Sequence, residues 1–299
     1  MSALTAPAAW KIRDRTLTWG SRTHLMGVLN VTPDSFSDGG QFATLDRAMA
    51  QARHLVHHGT DILDIGGQST RPGAGSISRE EELSRVIPVI EAIRRDDDDT
   101  LAQAIISVDT TRSSVARAAV RAGADVINDI SAGTYDRAML STVADLGVPI
   151  VIMHLRGTPV TMQQNTDYQD LIGEIHEFLQ HQIEDAIAVG IKPSKIAIDP
   201  GLGFAKTYPQ NLELLRQLSA FRDLGCPLLV GPSRKSFIGW ILDQPDPQQR
   251  VWGTAAACCA AIAGGADMLR VHDGAEMYDV CRVADAIWRG VDAERLPVG

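Results

Sequence analysis

Eight short apolar segments recur along the whole chain, and each ends at a polar or glycine-rich turn. They are HLMGVLN, DILDIGG, AIISVDT, ADVINDIS, PIVIMHL, KIAIDPG, PLLVGPS and DMLRVHD. They lack strict polar alternation, which is typical of strands that a parallel sheet buries on both faces. Between them lie segments with apolar residues at helical spacing, at 44–58, 80–94, 112–122, 166–189, 209–224 and 276–289. This order predicts an α/β fold built on a parallel sheet.

Six glycines each lie just past a helical segment and a few residues before the next strand: Gly59, Gly123, Gly147, Gly190, Gly225 and Gly265. A glycine in the left-handed conformation commonly ends a helix in a short connection. A series of eight strand and helix units favours a single closed (β/α)8 TIM barrel, because open sheets usually contain fewer strands. A doubly wound open sheet stays as the alternative. We expect residues 1–23 to form a short N-terminal arm or hairpin, and residues 24–299 to form the barrel domain.

The bulk composition excludes several classes of protein. Hydrophobic residues make up 44% of the 299 residues and charged residues 22%, values that are ordinary for a globular protein. The net charge of -9 argues against the basic surface that binds nucleic acid. No apolar run approaches the roughly 20 residues of a membrane span, and the four cysteines form no C-x-x-C pair. We therefore expect a cytoplasmic protein with neither a nucleic-acid nor a membrane partner.

Polar and charged residues cluster where the predicted strands end. They are Asn30, Asp109, Asn128, Asp129, His154, Asp199, Ser233, Lys235, Arg270 and His272. In a (β/α)8 barrel these strand ends meet at one face, and that face carries the active site. Taken singly, Asp109 and Asp199 are equally well explained as helix caps, and His154 as a buried histidine with a satisfied hydrogen bond. Taken together, they predict an active site at the barrel mouth.

Two long loops follow the first and second strands. The loop NVTPDSFSDGG (30–40) is too long for a tight turn and contains the aromatic Phe36, so it suits a mobile cover. The loop GGQSTRPGAGSISREEE (66–82) is rich in glycine and places Arg71 before Pro72. A flexible loop with one arginine suits the binding of an anion, although an ordinary glycine-rich connection has the same composition.

Cationic side chains gather near the end of the eighth strand. Arg270 and His272 alternate with Val271, so both project from the same side of the strand. Such a pair at a barrel mouth suggests phosphate binding, and a structural salt bridge is the alternative. Lys235 and Ser236 start a helix, where backbone N–H groups favour an anion. With acids and amides on one part of the mouth and cations on another, the pattern predicts a ligand with a hydrogen-bond-donor edge and an anionic tail.

Several strings of the sequence are long enough to compare with known families. They are MGVLNVTPDSFSDGG, DIGGQSTRPGA, SVDT, VINDIS, MHLRGTP, IAIDPGLGFAKT, SRKSFIG and LRVHD. In order, over about residues 24–290, they resemble the dihydropteroate synthases of the pterin-binding barrel superfamily. The resemblance implies a (β/α)8 barrel and a transferase of folate biosynthesis. Its reaction joins 6-hydroxymethyl-7,8-dihydropterin diphosphate to 4-aminobenzoate with Mg²⁺, and gives 7,8-dihydropteroate and diphosphate.

By this resemblance, each small-molecule substrate has its own set of residues. The pterin lies against Asp109, Asn128, Asp199, Lys235, Met153 and Phe204. The diphosphate contacts Asn30, Arg71, Arg270 and His272, while Asn30 and Asp38 bind Mg²⁺. The 4-aminobenzoate pocket contains Phe36, Thr70, Pro72 and Ser236. Catalysis is assigned to Lys235, Arg71, Asp38 and Phe36.

The resemblance also implies an order of events and an assembly. Diphosphate leaves first, the dihydropterin stabilises the resulting methylene cation, and the arylamine attacks it. The family usually forms homodimers through C-terminal helices, here 248–264 and 276–289, and it is the target of sulfonamides, which mimic 4-aminobenzoate. Two alternatives stay open. One is a pterin-binding methyltransferase domain, which should lack the strings STRPG and SRK, and the other is a catalytically silent pterin-binding module.

Overall fold

The computed structural model describes residues 7–32, 41–69, 73 and 75–290, and of residues 41–44 the backbone alone. Its strands are β1 (Trp10–Ile12), β2 (Arg15–Leu17), β3 (His24–Asn30), β4 (Ile62–Gly66), β5 (Ile105–Asp109), β6 (Val126–Asp129), β7 (Ile150–Met153), β8 (Ile196–Asp199), β9 (Leu229–Val230) and β10 (Met268–Val271). Its helices are α1 (Gln41–His57), α2 (Arg79–Arg94), α3 (Asp99–Ala102), α4 (Ser113–Ala122), α5 (Met139–Leu146), α6 (Leu171–Ala188), α7 (Tyr208–Arg216), α8 (Ser236–Leu242), α9 (Val251–Ala263) and α10 (Gly274–Arg289).

Eight parallel strands form the barrel, hydrogen-bonded in the order β9, β10, β3, β4, β5, β6, β7, β8. The ring closes where Ile198 of β8 pairs with Leu228, the residue before β9. There the Ile198 N–H donates to the Pro227 carbonyl at 2.9 Å. The prediction of a closed (β/α)8 barrel is therefore confirmed, and the alternative of an open doubly wound sheet is wrong.

Helices surround the barrel, and glycines set where several of them end. The six glycines predicted at helix ends all have positive φ. At Gly123, φ is 122° and an added Cβ would lie 2.7 Å from Arg94 Cγ, so only glycine fits there. The sequence pattern predicts neither α3 nor α5, because helical periodicity is weak over one or two turns. Within the described ranges, no helix combines the length and hydropathy that crossing a bilayer requires.

The N-terminal residues close one end of the barrel. Strands β1 and β2 form an antiparallel hairpin with Trp10 opposite Leu17, which confirms the predicted hairpin. Trp10 and Trp19 meet edge to face at 5.2 Å. With Ile12 and Leu17 they pack against residues at the start of each barrel strand: Met26, Ile62, Ile105, Val126, Val151, Ala197, Leu229 and Met268. Apolar side chains thus fill this end, and the polar interior lies toward the carboxyl ends of the strands. The boundary at residue 24 between arm and barrel domain stays a prediction.

Candidate active site

A cavity of about 230 Å³ opens at the carboxyl ends of the barrel strands. It brings together ten of the residues predicted from the sequence: Asn30, Asn128, Met153, Asp199, Phe204, Ser233, Lys235, Ser236, Arg270 and His272. Asp109, at the end of β5, joins this group through an ion pair with Arg270. The prediction that strand-end residues from distant parts of the chain meet at one site is confirmed for the described residues.

Arg270 connects two carboxylates inside the barrel. Its Nε lies 2.6 Å from Asp64 Oδ2, and its Nη2 lies 2.8 Å from Asp109 Oδ2. Asn128 Nδ2 donates to the same Asp64 oxygen at 3.2 Å. The expected separation of acids from cations at the mouth is therefore wrong, because the Arg270 side chain reaches across the interior to the acids. The helix-cap explanation of Asp109 is wrong as well, since its carboxylate binds this guanidinium.

Burial determines the charge state of this pair. Burial raises the pKa of Asp109 to about 7, with Asp64 and Glu82 adding to the increase and Arg270 opposing it. Burial lowers the pKa of Arg270, but the attraction of Asp64 and Asp109 outweighs it, so the pKa rises above its ordinary value and the guanidinium stays charged. One cation thus lies between two carboxylates in a region with little water. An N–H donor that approaches Asp109 meets a strong acceptor.

Asp199 ends β8 and forms both a turn and a part of the cavity wall. Its Oδ1 accepts the Gly201 N–H at 2.7 Å, which fixes the carboxylate against the following loop. Burial raises the pKa of Asp199 to about 6, and the Gly201 hydrogen bond and the charge of Lys235 oppose the increase. Asp199 thus stabilises the turn after β8 and also lines the cavity. The helix-cap explanation of Asp199 is wrong, because Thr207 caps the helix that follows.

Lys235 lies directly before α8 and packs on the loop that follows β8. Its Nζ lies 4.1 Å from the centroid of the Phe204 ring, a cation–π contact. A Cβ on Gly203 would lie 2.7 Å from Lys235 Cδ, so glycine is required for this approach. Burial lowers the pKa of Lys235 to about 8, against the attraction of Asp199. Ser236, the first residue of α8, is exposed at the edge of the cavity.

An apolar wall faces these polar groups. Met153 and Phe204 were predicted from the sequence to pack a ring, and both line the cavity. Ile130 and Met162 extend the same cluster and also line the cavity, although sequence reasoning missed them. Met162 is hard to find because it lies in the loop after β7, with no periodic pattern around it. A flat aromatic ligand has room to pack between this wall and the charged groups.

Asn30 and His272 lie on the remaining sides of the cavity. Asn30 ends β3 beside Gly66, where the side-chain oxygen Oδ1 is 3.6 Å from the position of an added Cβ on Gly66. His272 Nδ1 lies 3.0 Å from Ser233 Oγ, which also accepts the His272 backbone N–H at 3.1 Å. Arg270 and His272 both reach the cavity, so the prediction that they share one side of the strand is confirmed.

Five predicted site residues lie outside the described residues: Phe36, Asp38, Thr70, Arg71 and Pro72. Their assignments stay predictions. Conversely, sequence reasoning missed Asp64, a carboxylate in the middle of the apolar strand β4 that is fully buried. The signal was present, because a charged residue inside a strand buried on both faces needs a partner.

Comparison with known proteins places this site in a family. The family model described as pterin binding enzyme matches residues 26–272. The chain is 58% identical over 271 residues to the dihydropteroate synthase of Synechocystis sp., covering 91% of this chain and 92% of that one.

Two solved structures resemble the whole fold. A dihydropteroate synthase of Xanthomonas albilineans, solved with 4-aminobenzoic acid, superposes with a TM-score of 0.86 at 42% identity and covers 98% of this chain and 100% of its own. The Yersinia pestis dihydropteroate synthase, solved with a sulfonamide drug, superposes with a TM-score of 0.85 at 42% identity and covers 94% and 99%. This chain therefore belongs to the pterin-binding enzymes and, among them, to the dihydropteroate synthases.

Proposed function

We propose that this chain acts as a transferase of folate biosynthesis, joining 6-hydroxymethyl-7,8-dihydropterin diphosphate to 4-aminobenzoate. One observation carries the proposal: Asn128, Asp199 and Lys235 line a single cavity together with Arg270, which holds Asp109 beside it. The 2-amino-4-oxopyrimidine ring of a pterin presents N–H donors along one edge, which carboxylate and amide oxygens accept. The Lys235 ammonium donates to the ring carbonyl.

The apolar wall of the cavity takes the faces of the pterin ring. Met153 and Phe204 pack on it, and Met162 and Ile130 extend the contact. Aromatic and thioether groups stabilise a flat ring by dispersion and by exclusion of water. The carboxylates then set its orientation, so that the exocyclic methylene group points toward Arg270 and His272.

Diphosphate lies against the cations. A guanidinium carries five N–H donors, and the bonds of Arg270 to Asp64 and Asp109 use only part of them. Arg270, His272 and Arg71 stabilise the charge that builds up on the leaving group. The carbon–oxygen bond to diphosphate breaks first, and the electron-rich dihydropterin stabilises the methylene cation. The arylamine nitrogen then forms the new bond and releases a proton, which requires no strong base.

The donor set suits an Mg²⁺ ion that arrives with the diphosphate. Among the described residues, no three His, Cys, Asp or Glu side chains are grouped as a metal site of their own. Mg²⁺ commonly keeps several waters and takes one or two protein oxygens together with substrate phosphates. The side-chain oxygen of Asn30 at the cavity edge, joined by Asp38, fits this pattern. When bound, Mg²⁺ would neutralise part of the charge on the diphosphate.

The second substrate, 4-aminobenzoate, enters beside the pterin. Ser236 at the start of α8 receives its carboxylate, and Phe36, Thr70 and Pro72 complete the pocket. With Arg71 and Asp38, these residues cover the reacting methylene group and keep water from trapping the cation. Sulfonamides would occupy the 4-aminobenzoate position, as the ligand of the Yersinia pestis relative suggests.

The purified protein is expected to release diphosphate from the pterin substrate only when 4-aminobenzoate and Mg²⁺ are both present, and to form dihydropteroate in equal amount. Lys235→Ala and Arg71→Ala are each expected to lower kcat/KM by about 100-fold or more, because each removes a group that stabilises the reacting charge. Lys195→Ala serves as the matched control, since Lys195 lies before β8 at the opposite end of the barrel.

Other outcomes of this assay separate the alternatives. Pterin binding without turnover would support a catalytically silent module. Methyl transfer from a methylated folate would support the methyltransferase domain, although the synthase relatives match this chain over nearly their full length. Unaltered activity of Lys235→Ala would contradict the proposed role of that ammonium.

The cytoplasmic location of the chain stays a prediction.

We also propose that the chain forms a homodimer through α9 and α10. These helices expose large apolar side chains: Trp252 is 77% exposed, Ile287 68% and Trp288 60%. Large exposed apolar patches mark association surfaces. Sedimentation equilibrium is expected to give a dimer for the wild type and mainly a monomer for Ile287→Asp. Val189→Asp, which changes an exposed valine just past α6, should leave the dimer intact. A wild-type monomer at all concentrations would refute the proposal.

A further inference from the structure

Lys206 is a buried lysine that the proposed chemistry does not use. Its side chain is 2% exposed. The ammonium donates to the Gly201 carbonyl at 3.0 Å and to the Phe204 carbonyl at 3.0 Å, and Nζ lies 3.1 Å from His154 Nδ1. Burial lowers the pKa of Lys206 to about 7, against the attraction of Asp199. In the charged form its three N–H donors match these three partners. Lys206 therefore joins two points of the loop after β8 to the residue after β7.

His154 is the fixed end of this connection. It is 1% exposed, and its backbone N–H donates to the Asp199 carbonyl at 2.9 Å. Burial, with the charge of Lys206 as the next cause, lowers the pKa of His154 to about 2, so the imidazole is neutral. Its Nδ1 accepts from Lys206, which places the ring proton on Nε2. The suggestion that His154 is a buried histidine with a satisfied hydrogen bond is thus confirmed.

The loop between Asp199 and Lys206 combines one tight turn, in which the Phe204 N–H donates to the Gly201 carbonyl at 3.0 Å, with several residues in the left-handed conformation. Gly201, Gly203 and Ala205 have φ values of 74°, 85° and 49°, so every second residue is left-handed. Ala205 carries a Cβ, and the left-handed conformation costs such a residue steric energy. Such conformations persist where the surrounding contacts determine them. The bonds from Lys206 to the carbonyls of residues 201 and 204 are contacts of this kind.

The other side of the same loop forms the cavity wall. Asp199 begins the loop, Phe204 packs below Lys235 Nζ at 4.1 Å, and Gly203 lets the Lys235 stem approach. A shift of the 201 or 204 carbonyl would move each of these groups. Lys206 lies beneath them, away from the described lining of the cavity.

We propose that Lys206, held by His154, is a positioning residue that keeps residues 199–205 in the conformation that binds the pterin ring. The inference rests on the proposed function, because it takes a pterin as the ligand. A second observation supports it: the charge of Lys206 lowers the pKa of Asp199 against the larger effect of burial, and so favours the ionised carboxylate that accepts the ring N–H groups. Of the loop's other contacts, the Phe204 N–H also donates to the Gly201 carbonyl at 3.0 Å, whereas Tyr168 Oη binds the Ala205 carbonyl at 2.9 Å and Gly203 N–H binds Asn211 Oδ1 at 2.5 Å. Lys206 is thus the side chain that ties the 201 and 204 carbonyls to His154.

Isothermal titration calorimetry of Lys206→Met tests this role with two probes. Methionine keeps most of the side-chain volume and removes the three N–H donors. We expect the affinity for 6-hydroxymethylpterin to fall at least about tenfold, the size of effect expected when hydrogen bonds from a charged group are lost. The affinity for inorganic diphosphate with Mg²⁺ should change less than about twofold, because Arg270 lies on β10 and His272 directly follows that strand, away from the loop after β8.

Lys195→Met is the matched control. Its ammonium also donates to a backbone carbonyl, that of Gly147, but at the opposite end of the barrel. It should leave both affinities unchanged. If Lys206→Met binds the pterin as tightly as wild type, or loses both probes equally, the positioning role is wrong. If the wild type itself does not bind 6-hydroxymethylpterin, the proposed function fails instead.

A pair of substitutions at His154 keeps the inference testable if Lys206→Met does not fold. His154→Asn retains an acceptor for the Lys206 ammonium, and His154→Phe removes it while keeping a ring. We expect His154→Phe to lose pterin affinity selectively, by about tenfold, and His154→Asn to recover most of it. Equal pterin affinity of the two variants would overturn the inference.

Discussion

Replacing Asp199 with asparagine is expected to weaken pterin binding by about 100-fold and, at pH 8, to make the folded protein more stable. The loss of binding follows from the hydrogen bond that already fixes this side chain. Because the Gly201 N–H holds Oδ1 at 2.7 Å, the asparagine oxygen takes that place and its NH2 group replaces Oδ2. A donor would then face the N–H groups of the pterin, where the wild type presents a charged acceptor.

The gain in stability follows from the pKa of the carboxyl. Burial raises the pKa of Asp199 from 3.8 to about 6 in the folded protein. The protonated form is therefore favoured by folding, and the stability from this group is present below about pH 4 and lost as the pH rises through 6. That loss corresponds to at most about 3 kcal/mol at pH 8. Asparagine is neutral throughout and avoids it, although Lys206 and Lys235 lose a counter-charge, so we expect a net gain of about 1 kcal/mol.

Urea unfolding at pH 5 and pH 8 measures the change in stability. Calorimetric titration with 6-hydroxymethylpterin measures the change in affinity. The difference in the free energy of unfolding between variant and wild type should grow from pH 5 to pH 8. Asp97→Asn, at an exposed position, is the control and should show no such trend. A variant that is less stable than wild type at pH 8 would show that the carboxylate stabilises the fold instead of straining it.

The strands and the general location of the site were predictable from the sequence, whereas the closure of the barrel was only favoured. Eight apolar segments with polar ends are local patterns, and each became a barrel strand. Closure depends on the pairing of Ile198 with Leu228, and an open sheet would have the same segment pattern. The polar residues Asp109, Asn128 and Asp199 were identifiable because strand ends converge in this fold whatever the helices between them contain.

The electrostatic arrangement was predicted less well. Arg270 was assigned to a cationic region from its position on the strand. Its ion pairs with Asp64 and Asp109 depend on how the side chain crosses the barrel interior, which the sequence pattern does not show. The role of Lys206 was not identifiable from the sequence, because two of its three hydrogen-bond partners are backbone carbonyls, which every residue carries. The roles of the residues in the two loops at 33–40 and 70–72 stay predictions.

Replacing Arg270 with methionine is expected to destabilise the protein by about 3 to 5 kcal/mol at pH 8, because it leaves two buried carboxylates without their shared cation. It should also lower kcat/KM by about 100-fold or more through loss of the group proposed to stabilise the leaving diphosphate. Urea unfolding and the dihydropteroate assay measure the two effects separately.

The pH dependence identifies the cause of the destabilisation. Burial already raises the pKa of Asp109 to about 7, and Arg270 opposes that increase, so removal of Arg270 raises the pKa further. A folded-state pKa above the unfolded value of 3.8 means that stability falls as the pH rises through the folded pKa. The cost of Arg270→Met should therefore be smaller at pH 5, where Asp109 takes up a proton, than at pH 8. A cost independent of pH would point to lost packing.

A double variant separates the ion pair from the chemistry. In Arg270→Met with Asp64→Asn, one of the two buried charges left unpaired is removed together with the cation, so part of the stability at pH 8 should return. Activity should stay low, because the cation proposed to bind diphosphate is still missing. If activity returned along with stability, Arg270 would act only by holding Asp64 and Asp109 in the barrel, and the diphosphate would depend on His272 and the remaining cations. If neither returned, the guanidinium would matter to the fold chiefly through its link to Asp109, which the double variant leaves buried without a partner.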